Sequence, residues 1–341
     1  MLQKPALPDD LVVACLRENY GLPVAELTFL PLGADGNTAV YRAGAAGAPY
    51  FVKLRSGEFD VSAVTVPRLL SDRGVGHIIA PLPTLTGHLW AELGDYRLIL
   101  APFIESRDAY KVELTERHWR ELGEAMRRVH DIEVPPAMAG AIRRETFSAR
   151  WRDTLRHYLD LAGRRSFDDP VAAEIADFLN LMRRDINDLI RHADHYAATL
   201  KARPRRFVLC HSDLHAGNVV IDSTDQLYIV DWDQPIFAPR ERDLMYPGGA
   251  QGFLGRSPDD EERLFSEGYG PVEVDPAAVA YYRFERIVED IAVFGRDLLL
   301  SDDGGADRAQ SLRYVKSNFQ PGSTIDRAYA AHKSAGWGNE L

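Results

Sequence analysis

Cys210-His211-Ser212-Asp213-Leu214-His215-Ala216-Gly217-Asn218, followed by Val230-Asp231-Trp232-Asp233, decides how the chain reads. Phe207 to Cys210 is an apolar run entering a loop, Val219 to Ile221 leaves it, and Leu227 to Val230 ends at Asp231. Asp222 to Gln226 between them has turn composition, so strand, loop, hairpin and terminal Asp form one unit. An Asp, an Asn five residues on and an Asp at a strand end are all oxygen donors. Together they can orient a hydroxyl and hold a hard dication against phosphates, which is the minimum equipment of phosphoryl transfer. Asp213 is then the hydroxyl-orienting carboxylate, and Asn218 and Asp231 are the Mg²⁺ ligands. The Asp-to-Asn offset matches the protein-kinase loop H-R-D-L-x-x-x-N, with Ser212 in place of the Arg that reads a phosphorylated activation loop. An enzyme that needs no such switch is expected. His211 and His215 would need a helix to share a zinc ion, and they lie in a loop.

Phosphate binding also calls for a positive group, and the amino-terminal part offers one. Leu27 to Pro31, Ala39 to Arg42 and Pro49 to Leu54 read as strands, with Gly33-Ala34-Asp35-Gly36-Asn37 as a turn whose glycines leave the backbone free to lie over phosphates. Alternation puts Phe51 and Lys53 on one face of the third strand and Tyr50, Val52 and Leu54 on the other. Lys53, Gly33, Gly36 and Asn37 are therefore the candidate ATP-binding residues. Strands are also expected at Ile79 to Leu85, His88 to Leu93 and Tyr96 to Pro102. After Ile104 the short-strand pattern gives way to helical periodicity, so Ala101, Phe103 and Ile104 form the candidate hinge against adenine. The expected division is 1–104, a nucleotide-binding lobe, and 105–341, a helical catalytic and substrate-binding lobe. The fold class is α+β and bilobal, a small antiparallel sheet beside a larger helical lobe. Helices are expected around Trp119 to His130, from Pro170 to about Leu200 as one long helix, and from Pro276 to Leu300.

The 341 residues are 45% hydrophobic and 27% charged, the balance of a globular protein with room for two sizeable cores. Two cysteines, Cys15 and Cys210, cannot make a disulfide framework, which fits a reducing cytoplasm, and Met1 to Pro5 does not open a signal sequence. No apolar run approaches a membrane span, so no membrane partner is expected. The net charge of −11 argues against nucleic acid and favours a cationic small molecule.

HSDLHAGNVV and IVDWDQP resemble the catalytic loop and metal-binding strand of the aminoglycoside phosphotransferase family; PLGADGNTAVYR and YFVKL extend the likeness towards the amino terminus. APRERDLM (Ala238 to Met245) and YYRFERIVEDIAVFGRDLL (Tyr281 to Leu299) resemble segments of its spectinomycin-phosphorylating members. The resemblance implies a protein-kinase-like fold, ATP and Mg²⁺ as cofactors, and transfer to a hydroxyl of a cationic aminocyclitol such as spectinomycin. The alternatives are another small alcohol or protein serine as acceptor, or a silent nucleotide-binding module. Asp233, Glu285, Glu289 and Asp290 are the candidate carboxylates for a protonated acceptor, with Tyr282 as a wall. One departure stands out: kinases of this fold hold the lysine with an acid on the next helix, and Val61 to Leu70 contains none. Glu58 or Asp60 could substitute from the helix entrance, and the partner of Lys53 stays open.

Overall fold

The computed structural model describes residues 4–32, 37–45, 47–301 and 305–336. The elements run α1 (Asp9–Tyr20), β1 (Val24–Leu30), β2 (Thr38–Ala45), β3 (Ala48–Ser56), α2 (Ser62–Asp72), β4 (Ala91–Leu93), β5 (Tyr96–Pro102), β6 (Ser106–Asp108), α3 (Glu116–His130) and α4 (Pro136–Ala139). They continue with β7 (Arg143–Arg144), α5 (Arg150–Arg164), α6 (Pro170–Leu181), α7 (Arg183–Lys201), β8 (Val208–Cys210), a 3-10 turn (Ala216–Asn218), β9 (Val219–Asp222), β10 (Leu227–Ile229) and β11 (Ile236–Ala238). Then follow α8 (Glu241–Leu244), α9 (Pro258–Tyr269), α10 (Pro276–Leu300), α11 (Gly305–Ser317) and α12 (Thr324–Ser334). This is the expected α+β composition. By backbone proximity the chain groups into two compact units, 1–143 with 211–236, and 144–210 with 237–341. The first unit thus joins the amino-terminal sheet to the catalytic loop, whereas the expectation from sequence divided the chain at residue 104.

In the first unit, an antiparallel sheet has the order β1-β2-β3-β5-β4. Its buried face meets α1: Val52 and Leu54 of β3, Tyr41 of β2 and Leu98 and Leu100 of β5 pack with Val12 and Leu16. Period-two alternation makes this a one-sided core, and it turns Lys53 to the other face as expected. A second sheet, β10-β9-β6, carries the catalytic hairpin. The strand expected over Ile79 to Leu85 is absent. Pro81 and Pro83 cannot donate to a ladder, and only Ile78 bridges, to Ile229 of β10. The strand expected from His88 shortens to Ala91–Leu93. Helix α3 starts at a Thr115 capping box closed by His118 and buries Trp119, Leu122, Met126 and Val129, the expected stripe.

In the second unit, α10 is the central helix, packed by α5, α6, α7, α11 and α12. Asp275 caps it and Pro276 opens it, so its start was readable from sequence. The single helix expected from Pro170 to Leu200 is two, α6 and α7, separated at Met182. Side chains from this break serve α5: Asn180 Nδ2 donates to Ala162 O at 2.8 Å and Arg183 Nη2 to Leu159 O at 2.6 Å. Backbone carbonyls near a helix end need such partners, and the contact is invisible to periodicity. No helix among the described residues is long and apolar enough to cross a membrane.

Candidate active site

The candidate phosphate- and metal-directed side chains with described positions all lie in the first unit. Strand β3 delivers Lys53 and, two residues on and on the same face, Arg55. The end of β10 delivers Asp231 and Asp233. Lys53 Nζ lies 2.6 Å from Asp233 Oδ1 and 3.6 Å from Asp231 Oδ1, while Arg55 Nη1 lies 3.0 Å from Asp233 Oδ2. Each oxygen of Asp233 therefore meets a cation. That answers the open question about Lys53: its carboxylate partners come from the segment that follows β10. Asp60 is occupied elsewhere, accepting from Ser62 N at 2.9 Å and Ser62 Oγ at 2.6 Å at the entrance to α2.

Asp213 and Asn218 face one another across the loop. Asn218 Nδ2 donates to Asp213 O at 2.8 Å and lies 3.4 Å from Asp213 Oδ2. With the amide nitrogen of Asn218 engaged by Asp213, its amide oxygen is the group left to serve as a hard-cation donor. The loop is tied to the hairpin by Val230 N donating to Asn218 O at 2.9 Å. His211 is a structural brace: Nε2 meets Val230 O at 2.9 Å and Nδ1 accepts from Asp213 N at 3.2 Å. Ser212 Oγ donates to Gln234 O at 2.7 Å, so the residue standing for the kinase Arg binds backbone. Ser212 and Asp231 have φ of 75° and 63°, a left-handed conformation that costs a non-glycine residue about 1–2 kcal/mol. Such strain concentrates where side chains must be aimed.

The electrostatics suit a dication. The Asp231 carboxyl is pushed above its usual range, first by desolvation and then by the charges of Asp233 and Asp213, with Lys53 opposing. Its side chain keeps 48% of its surface open, so water limits the effect. Burial works to lower Lys53, but Asp231 and Asp233 outweigh it and hold the ammonium charged. Three carboxylates with oxygen-donor chemistry and mutual repulsion fit Mg²⁺, which would relieve that repulsion.

The remaining sequence candidates are distributed as follows. Gly33 and Gly36 lie outside the described residues; Asn37 follows them in an exposed turn and accepts from Ser56 N at 2.9 Å. Ala101, next to last in β5, lies opposite Phe51, and Phe103 N donates to Pro49 O at 3.3 Å, so that amide is already engaged at the sheet edge. Ile104 O accepts from Ser106 Oγ at 3.3 Å. On α10, in the second unit, Glu285 is buried and hydrogen-bonded to Arg152, Asp290 pairs with Arg286 at 2.9 Å, and Tyr282 is 2% exposed. Glu289 is half-buried near Arg242. Desolvation pushes the Glu285 carboxyl up to about 7 against the pull of Arg152. Glu285 thus serves an ion pair between α5 and α10, and Asp290 an i,i+4 pair with Arg286 on α10 itself. Arg55 was missed from sequence, although the alternation that identified Lys53 also places Arg55 beside it.

The APH phosphotransferase enzyme family matches residues 28–260. A structure of spectinomycin phosphotransferase APH(9)-Ia in complex with ADP and spectinomycin is 35% identical, covers 97% of this chain and 100% of its own, and superposes with a TM-score of 0.89. Its AMP-bound complex is 34% identical over 94% of this chain and 98% of its own, TM-score 0.84. Protein StrN of Streptomyces griseus is 29% identical over 224 residues, 64% of this chain and 67% of StrN. The chain belongs to the APH phosphotransferase enzyme family, and its activity is ATP-dependent transfer of a phosphoryl group to a hydroxyl.

Proposed function

We propose that the enzyme transfers the γ-phosphate of Mg²⁺-bound ATP to a hydroxyl of a small cationic aminocyclitol, with spectinomycin as the acceptor, in the cytoplasm, for resistance or self-protection. The observation that carries the acceptor is the end-to-end likeness to the spectinomycin enzyme, at 35% identity over 97% of the chain. Lobe roles follow the sequence division: residues 1–104 hold the nucleotide and 105–341 supply catalysis and the acceptor pocket. Lys53, kept charged by its two carboxylates, binds the phosphates, and Asp233 with Arg55 aims it. Asn218 and Asp231 hold Mg²⁺, which when bound neutralises the charge of the phosphate oxygens. Asp213 orients the acceptor hydroxyl and receives its proton late, because a carboxylate is a weak base at neutral pH. Ala101, Phe103 and Ile104 are the proposed contacts of the adenine, through carbonyls and apolar surface at Phe103, whose amide donates to Pro49 O. Glu289 remains an acceptor-side candidate; Asp233, both of whose oxygens meet a cation, is assigned to Lys53 and Arg55, and Glu285, Asp290 and Tyr282 to ion pairs and packing around α10.

The test is ADP release with Mg²⁺-ATP against spectinomycin, other aminoglycosides, choline and homoserine, with product mass measured. Spectinomycin should give a product heavier by one phosphoryl group. Efficient turnover of another alcohol with none on spectinomycin would overturn the acceptor assignment.

A further inference from the structure

The catalytic loop holds a second arrangement that phosphate and metal binding do not account for. His215 Nδ1 accepts from Gly217 N at 3.0 Å, and the Tyr110 hydroxyl lies 3.1 Å from the same nitrogen. A backbone N–H can only donate, so Nδ1 is the bare acceptor of the ring, and the tyrosine hydroxyl must donate to it as well. A neutral imidazole fixed in this way carries its proton on Nε2. Nε2 is the atom that faces the catalytic carboxylate, 3.6 Å from Asp213 Oδ2. The Asn218 amide nitrogen approaches the same oxygen at 3.4 Å. Two N–H groups therefore converge on one oxygen of Asp213. The first distance lies just beyond a formed hydrogen bond and the second at its outer limit.

The rings are built into place. Tyr110 and His215 stack with centroids 5.8 Å apart and planes 26° apart. A Cβ at position 217 would lie 2.7 Å from His215 Cε1 and 2.7 Å from Tyr110 Cε2, so only glycine fits beneath both rings without displacing them. Tyr110 comes from the segment after β6, whose Ala109 N donates to Ala216 O at 3.0 Å, which ties the tyrosine to the loop it braces.

We infer that His215, held in one tautomer by Tyr110 and Gly217, is a positioning residue that fixes the plane of the Asp213 carboxylate through Nε2–H. The inference rests on the phosphotransfer reading of Asp213. The competing role is purely structural, since Nδ1 caps the 3-10 turn. Two variants separate the roles. His215→Asn keeps an acceptor for the Gly217 N–H but puts no donor where Nε2 stood; His215→Gln places an amide donor near Nε2 and loses the cap. Under the positioning role, His215→Asn lowers kcat about 10-fold or more, with KM for ATP and ADP affinity within about twofold, and His215→Gln recovers part of kcat. Wild-type kcat in His215→Asn with impairment in His215→Gln would overturn it. Imidazole ¹⁵N NMR of the unliganded enzyme reads the inference without any acceptor. His215 should appear as the Nε2–H tautomer, and its Nε2 resonance should move in Asp213→Asn. An Nδ1–H tautomer, or an unmoved resonance, overturns it. If no aminocyclitol is phosphorylated but the NMR result stands, the acceptor assignment fails and the positioning role survives.

Discussion

Asp213 Oδ2 lies 3.4 Å from Asn218 Nδ2 and 3.6 Å from His215 Nε2, so two N–H donors approach one carboxylate oxygen. In the proposed role Asp213 orients the acceptor hydroxyl, so Asp213→Asn should reduce kcat by about 10²–10⁴-fold while ADP binding, measured by calorimetry, stays near wild type. Comparable loss of ADP affinity would point to collapse of the loop. A second residue-scale expectation concerns the helical unit. Arg152 is 1% exposed and pairs with Glu285, and its Nε lies 2.7 Å from Asp194 Oδ1. Arg152→Ala should destabilise by about 3–5 kcal/mol because it strands a buried carboxylate. Replacing both partners by apolar residues, Arg152→Met with Glu285→Leu, should recover most of that loss in urea titrations. The sequence named Asp213, Asn218, Asp231 and Lys53 because chemistry fixes their types and spacing. It could not distinguish Glu285 paired internally from Glu285 facing a substrate, since burial depends on residues more than 100 positions away.

Helix α12 illustrates the scale of elements. It meets α7 and α10 through rings: His332 Nδ1 bonds the Tyr196 hydroxyl at 2.7 Å, His192 lies 4.5 Å from His332 centroid to centroid, and His192 stacks on Phe284 at 4.9 Å. Burial lowers the His192 pKa from 6.5 to about 4, with His332, Arg191 and His195 adding in the same direction and Asp188 opposing. The folded pKa is depressed, so as pH falls the unfolded chain takes up the proton first. Stability from this packing is fully present above about 6.5 and declines as pH drops towards 4, by roughly 3 kcal/mol at most. Burial also lowers the pKa of His332, with the same sign. The melting temperature should fall between pH 7 and pH 5, and by less in His192→Gln; equal falls in both would exclude His192 as the source. Helix periodicity located α3 and α10 because their apolar stripes are regular. The break at Met182 escaped it because Asn180 and Arg183 are recruited by carbonyls of α5, a contact with no local signature.

For the whole molecule, net charge is the relevant quantity. At −11 the protein presents a field that concentrates cations. KM for a cationic acceptor should therefore rise with salt as the Debye length contracts from about 30 Å at 0.01 M to about 3 Å at 1 M, with kcat changing less. Steady-state kinetics over that range provide the check, and a salt-independent KM would confine acceptor recognition to direct contacts.

The sequence by itself determined the reaction, because hydroxyl orientation, metal binding and phosphate neutralisation demand particular donors at short spacings along the chain. It also determined the one-sided amino-terminal sheet, because strand alternation is local. Only the tertiary structure decided that Lys53 is held by Asp233 and Asp231 in place of a helix acid, that Arg55 joins it, and that Tyr110 reaches His215 from 105 positions away. Those are pairings between distant segments, set by how sheets and loops pack, and no local pattern encodes them.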